Sequence, residues 1–67
     1  MLPGVWLMPG DSGQMVKDLQ LVIFCRSISG VFDESTQARL RGFQLAHNLP
    51  PTGVVDDETA EVLGWGR

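Results

Sequence analysis

Apolar residues recur along this chain at helical spacing in three short stretches, each entered through a glycine-containing turn. Val16, Leu19, Gln20 and Ile23 share one face at about 100° per residue, which predicts a helix from about Ser12 to Cys25 behind the turn Gly10-Asp11-Ser12-Gly13. Thr36, Leu40, Phe43 and His47 stack in the same way and predict a second helix from about Glu34 to Asn48, stopped by Pro50-Pro51. Gly42 weakens that helix intrinsically and reads as a point where a neighbour approaches closely. A third, short helix is expected from about Asp57 to Leu63, ending at Gly64.

Two of these helix starts are copies of one unit. The segment from Gly30 to Leu40 aligns without gaps on the segment from Gly53 to Leu63, and both read G-V-x-D-x-x-T-x-x-x-L. Each glycine suits a turn with positive φ. Asp33 and Asp56 then fit helix N-caps, accepting from first-turn amides that have no partner inside the helix, with Thr36 and Thr59 at the third helical position. Glu34, Asp57 and Glu58 favour the positive end of the helix dipole. All four residues Asp33, Thr36, Asp56 and Thr59 are therefore expected to be structural caps. Gln20 and Gln44, each following a core residue, are expected to bond turn backbone.

One feature does not fit a simple core stripe. With Val16, Leu19 and Ile23 inward, Leu21, Val22 and Cys25 point to the other side of the first helix and give it a second apolar face. Either the N-terminal arm, residues 1–9 with Leu2, Val5, Trp6 and Leu7, folds over that face, or another protein covers it.

Composition narrows the functional classes. A chain of 67 residues is one small domain, burying only about 60% of its unfolded surface. With one cysteine and one histidine, neither a disulfide nor a zinc site is available as a staple, and no metal or cofactor is expected. Net charge is −3 with scattered cations, which excludes the basic footprint of nucleic-acid binding. The longest apolar run, Leu21 to Cys25, is far too short for a membrane span. The first ten residues lack a basic n-region, so the expectation is a chain without a signal peptide, made in the cytoplasm. Catalytic constellations are thin. A thiol nucleophile would pair Cys25 with His47, but Cys25 lies in an apolar run. The paired carboxylates of a glycosidase would be Asp33 and Asp56, which the repeat explains as caps.

The ordered pieces Leu7, Gly10, Gly13, Val16, Leu19-Gln20, then Gly30, Phe32, Thr36, Leu40, Phe43-Gln44, then Leu49, Thr52-Gly53, Val55-Asp56, Thr59 and Leu63 resemble the peptidoglycan-binding-like domain family, the helical module attached to many bacterial and phage cell-wall hydrolases. The resemblance implies an all-α fold, a compact three-helix bundle over residues 10–67 with residues 1–9 as an apolar arm. It also implies a non-catalytic role in binding peptidoglycan. Polarity and closeness to the loops single out Arg26, Ser29, Arg39, Asn48 and Thr52 as glycan-binding candidates, and Trp65 joins them because an exposed tryptophan can stack on a sugar ring. A second expectation is a phage-encoded virion protein, for instance a capsid accessory or decoration protein. It would be incorporated in the virion and dock on a larger assembly through Trp6, Leu21, Val22 and Cys25.

Overall fold

The computed structural model describes residues 4–65. Along the chain come β1 (Val5–Leu7), α1 (Gln14–Val22), α2 (Glu34–Ala46), β2 (Val55–Asp56) and α3 (Asp57–Leu63). The three helices match the expected bundle, and α3 has the expected bounds. The all-α expectation is corrected by a two-stranded antiparallel sheet in which Val5 faces Asp56 and Leu7 faces Val55. Strands of two and three residues are too short to show an alternating pattern, and β2 runs directly into the cap of α3. Leu7 is buried in the core, so residues 4–9 carry a strand of the fold.

The first helix is shorter than expected at both ends. It starts at Gln14 because the backbone of Ser12 is engaged in a bridge to Val31, and Gly13, at φ 122°, caps without a side-chain bond. The Asp11 carboxylate turns back to accept from the Met8 amide at 3.0 Å. At the other end, the Cys25 amide donates to Gln20 O and the Phe24 amide to Leu21 O, with Phe24 at φ 59°. This is a Schellman ending, in which one left-handed residue lets two amides close on the last turn.

The same ending closes the other helices. Leu49 N–H donates to Gln44 O behind Asn48 at φ 60°, so α2 stops at Ala46 rather than Asn48. Trp65 N–H donates to Ala60 O behind Gly64 at φ 85°. Three helices thus reverse through a left-handed residue, and the following Cys25, Leu49 and Trp65 are each half-buried. Cys25 and Trp65 pack against the core as plugs. Glycine takes that conformation freely and asparagine tolerates it, whereas other L-residues pay about 1–2 kcal/mol. Phe24 is the costly member of the three.

Gly42 does not mark a close approach. A methyl group there would meet nothing within 4 Å, because that side of α2 borders a groove instead of a helix.

Candidate functional site

Two buried glutamines organise the loops. The Gln20 Oε1 accepts from Gly30 N–H at 2.9 Å, while its Nε2 donates to Val31 O at 3.1 Å and to Thr36 Oγ1 at 3.0 Å. Gln44 repeats this pattern, accepting from Gly53 N–H at 3.0 Å and donating to Val54 O at 2.9 Å and Thr59 Oγ1 at 3.0 Å. Each side chain is an amide that mimics a neighbouring strand, pairing with the turn on both its donor and acceptor sides. Every buried side-chain nitrogen and oxygen among the described residues has a partner.

The caps complete each unit. Asp33 accepts from Thr36 N–H and from the Thr36 hydroxyl, both at 2.9 Å, and Asp56 accepts from Thr59 N–H at 3.0 Å. Threonine at this position relays between glutamine and aspartate, since its hydroxyl accepts from one and donates to the other. Hydrogen bonds from the Thr36 backbone and hydroxyl hold the Asp33 carboxyl below its ordinary value of 3.8. At Asp56 burial pushes upward, but the bonds from Thr59 and Thr52 outweigh it and the carboxyl is again lowered. A lowered carboxyl binds fewer protons folded than unfolded. Its contribution is complete above the ordinary value of 3.8 and is lost as pH falls through the lowered folded value. The expected melting temperature is therefore flat from pH 7 to 5 and falls below about pH 4. Asp33→Asn and Asp56→Asn should each flatten the fall in a pH series of thermal melts.

Basic side chains cover both turn glycines. Gly30, at φ 79°, lies under the Lys17 stem, and Gly53, at φ 77°, under Arg41 and Gln37. Lys17 and Arg41 hold the same place, three residues before their glutamine. Their apolar stems shield the turn while the charged heads reach water.

The two units part company in one place. Beside the first lies a cleft of about 430 Å³ between the segment after α1 and the start of α2, lined by Cys25, Arg26, Ser27, Ser35 and Arg39 together with the capping Asp33. Burial pushes the Cys25 thiol up, against the Thr36 hydrogen bond and the Arg39 charge and aided by the Asp33 charge, which disfavours the nucleophilic thiolate. Counted from Gln20 and Gln44, Cys25, Arg26 and Ser27 match Leu49, Pro50 and Pro51, and counted from Gly30 and Gly53, Ser35 and Arg39 match Glu58 and Val62. Two guanidinium groups and two hydroxyls in the first unit thus face proline, acid and aliphatic chains in the second.

A family model of the peptidoglycan binding domain matches residues 12–63. The chain belongs to that family. No curated protein and no solved structure matches it. The match takes in both units, both glutamine hubs and the cleft, while β1 lies before its first residue.

Within this peptidoglycan-binding fold the glycan candidates fall into separate places. Arg26 and Arg39 meet in the cleft. The Ser29 hydroxyl accepts from Val31 N–H at 3.2 Å, and Thr52 bonds Gln44 and the Val54 turn, so both brace loops. Asn48 is the left-handed residue after α2. Trp65 packs on the core with its ring 6.4 Å from that of Trp6, and the Trp6 indole N–H donates to Asp57 at 2.9 Å. Trp6 therefore sits in the sheet, bonded to the first residue of α3. Leu21 and Val22 stand 61% and 41% exposed, and β1, paired with β2, does not cover them; Leu2 of the expected arm lies outside the described residues, and Cys25 packs against the core instead of joining the outer face. Phe24 went unnoticed in the sequence although it is 82% exposed. Its signal was its place four residues after Gln20, since Asn48, a residue suited to a left-handed helix end, stands four residues after Gln44.

Proposed function

We propose that the chain is a non-catalytic module that holds peptidoglycan in the cleft of its first unit. One observation carries this reading: two units built on the same hydrogen bonds differ in their side chains around the cleft, and Arg26 and Arg39 stand only in the first. The other two cations of the described residues, Lys17 and Arg41, cover turn glycines, which accounts for them structurally. The two aspartates that could have served acid–base chemistry are engaged as caps.

Co-sedimentation with purified, insoluble cell walls at low salt tests the reading. The protein should pellet with the walls, and Arg26→Ala with Arg39→Ala should leave it in the supernatant. Hydrogen bonds to charged groups contribute about 1.5–3 kcal/mol each, so each arginine is worth roughly tenfold or more in affinity. Wild-type protein remaining in the supernatant contradicts the proposal.

A second reading, docking on a larger assembly such as a phage capsid, draws on the exposure of Leu21 and Val22. Under it, Leu21→Asp or Val22→Asp would abolish assembly while leaving the circular dichroism melt unchanged. Copurification of both variants with the assembly would count against it.

A further inference from the structure

Phe24 combines two costs that the fold alone does not repay. Its backbone sits at φ 59°, where the equivalent helix ends use Asn48 and Gly64, and its ring is 82% exposed. Asparagine or glycine would close α1 with the same hydrogen bonds and less strain. The ring lines an apolar groove together with Val22, Gly42 and Phe43, and Arg39 lines both this groove and the basic cleft. Phe24 is followed directly by Cys25 and Arg26, so one continuous surface runs from an aromatic ring, past two guanidinium groups and the Asp33 carboxylate engaged by Thr36, to the hydroxyls of Ser27 and Ser35.

That order of chemistry discriminates between the parts of peptidoglycan. In the intact polymer the lactyl carboxyl of the sugar is consumed in its amide bond to the peptide, leaving an uncharged glycan strand. The carboxylates belong to the stem peptide, interspersed with alanyl methyls and aliphatic chains. The cleft sets two guanidinium groups against the one capping carboxylate of Asp33, a net positive site that has little to gain from a neutral sugar, whereas a carboxylate accepts from a guanidinium in bidentate fashion. Resting on the peptidoglycan reading above, we infer that this surface recognises the stem peptide: Arg26 and Arg39 hold a peptide carboxylate, and Phe24 packs on the neighbouring apolar portion of the peptide.

Three probes separate this inference from its parent. Intact walls, walls freed of peptide by an amidase that cuts the lactyl amide, and soluble stem peptides with free or amidated carboxyls are each offered to the wild-type protein, Arg39→Gln and Phe24→Asn. Binding to peptide-free walls should fall at least about tenfold relative to intact walls, and amidating the peptide carboxyls should weaken soluble binding by about the same factor. Arg39→Gln should reproduce that loss on free-carboxyl peptide and add none on amidated peptide. Phe24→Asn should bind several-fold more weakly yet melt about 4 °C higher, a pairing that a merely structural residue does not produce. Equal retention on peptide-free and intact walls overturns peptide recognition and leaves wall binding standing. Failure to bind intact walls overturns both. Unchanged peptide binding by Arg39→Gln or by Phe24→Asn also overturns the inference.

Discussion

Gln20→Leu will leave the domain largely unfolded at room temperature, although leucine has nearly the same size and is more apolar. The side chain is 1% exposed, and its loss strands the Gly30 amide inside the protein and leaves the Val31 carbonyl with only the long 3.5 Å bond from the Ser29 hydroxyl. Thr36 keeps its bond to Asp33 but loses the donor on its other side. Each buried group left unsatisfied costs about 1–3 kcal/mol. Domains of this length rarely hold more than about 3–5 kcal/mol in total, so one stranded amide with a weakened carbonyl and a weakened hydroxyl beside it removes most of the margin. Gln44→Leu should behave alike, since Gly53 and Val54 stand to it as Gly30 and Val31 stand to Gln20. Gln20→Glu is a sharper control, because it keeps the acceptor and replaces the donor that serves Val31 and Thr36. Urea denaturation of the three variants checks the expectation. A transition midpoint within experimental scatter of wild type for Gln20→Leu would show that the hub is dispensable.

A chain beginning at Gly10 will also fail to fold cooperatively. The family resemblance implies that the first nine residues are an arm, yet Leu7 is only 6% exposed and is part of the core cluster. Removing a buried leucine side chain costs about 2–5 kcal/mol before backbone bonds are counted. The shortened chain would further lose the β1–β2 pairing, the bond from Asp57 N–H to Gly4 O and the Trp6 indole bond to Asp57. Val55, fully buried in the intact chain, would lose its strand partner. Leu7→Ala in the full chain separates core burial from strand pairing and should cost part of the total. A sharp thermal transition of the shortened chain at the wild-type temperature would contradict this role of β1.

The contrast between these two regions shows what could be read from the sequence. The repeated unit was legible because its parts are local. Glycine, aspartate and threonine at fixed offsets specify a turn and a cap whatever lies beyond them, and α3 begins and ends at the expected residues. The two glutamines were legible as turn braces for the same reason, each falling on the core face of its helix. The sheet was not, because its strands are held by residues far apart in sequence and neither is long enough to alternate. The early end of α1 was hidden by Phe24, a residue that normally continues a helix and here takes the left-handed conformation. Arg26 and Arg39 were individually legible as polar loop and helix positions. Their meeting in one cleft depends on how the segment after Phe24 folds back toward α2, which no local pattern encodes. Trp65 was drawn toward sugar stacking by residue type alone, and its position after Gly64 makes it a helix-end plug against the core.

Amide chemical-shift mapping with soluble fragments released from cell walls tests the proposed site most directly. Titration should move the resonances of Cys25, Arg26, Ser27, Ser35 and Arg39 in one saturable phase, leaving Pro-flanked Leu49 and the Glu58–Val62 segment of the second unit unmoved. Saturable shifts confined to the second unit, or none anywhere at millimolar fragment, would contradict the assignment of peptidoglycan binding to the first unit's cleft.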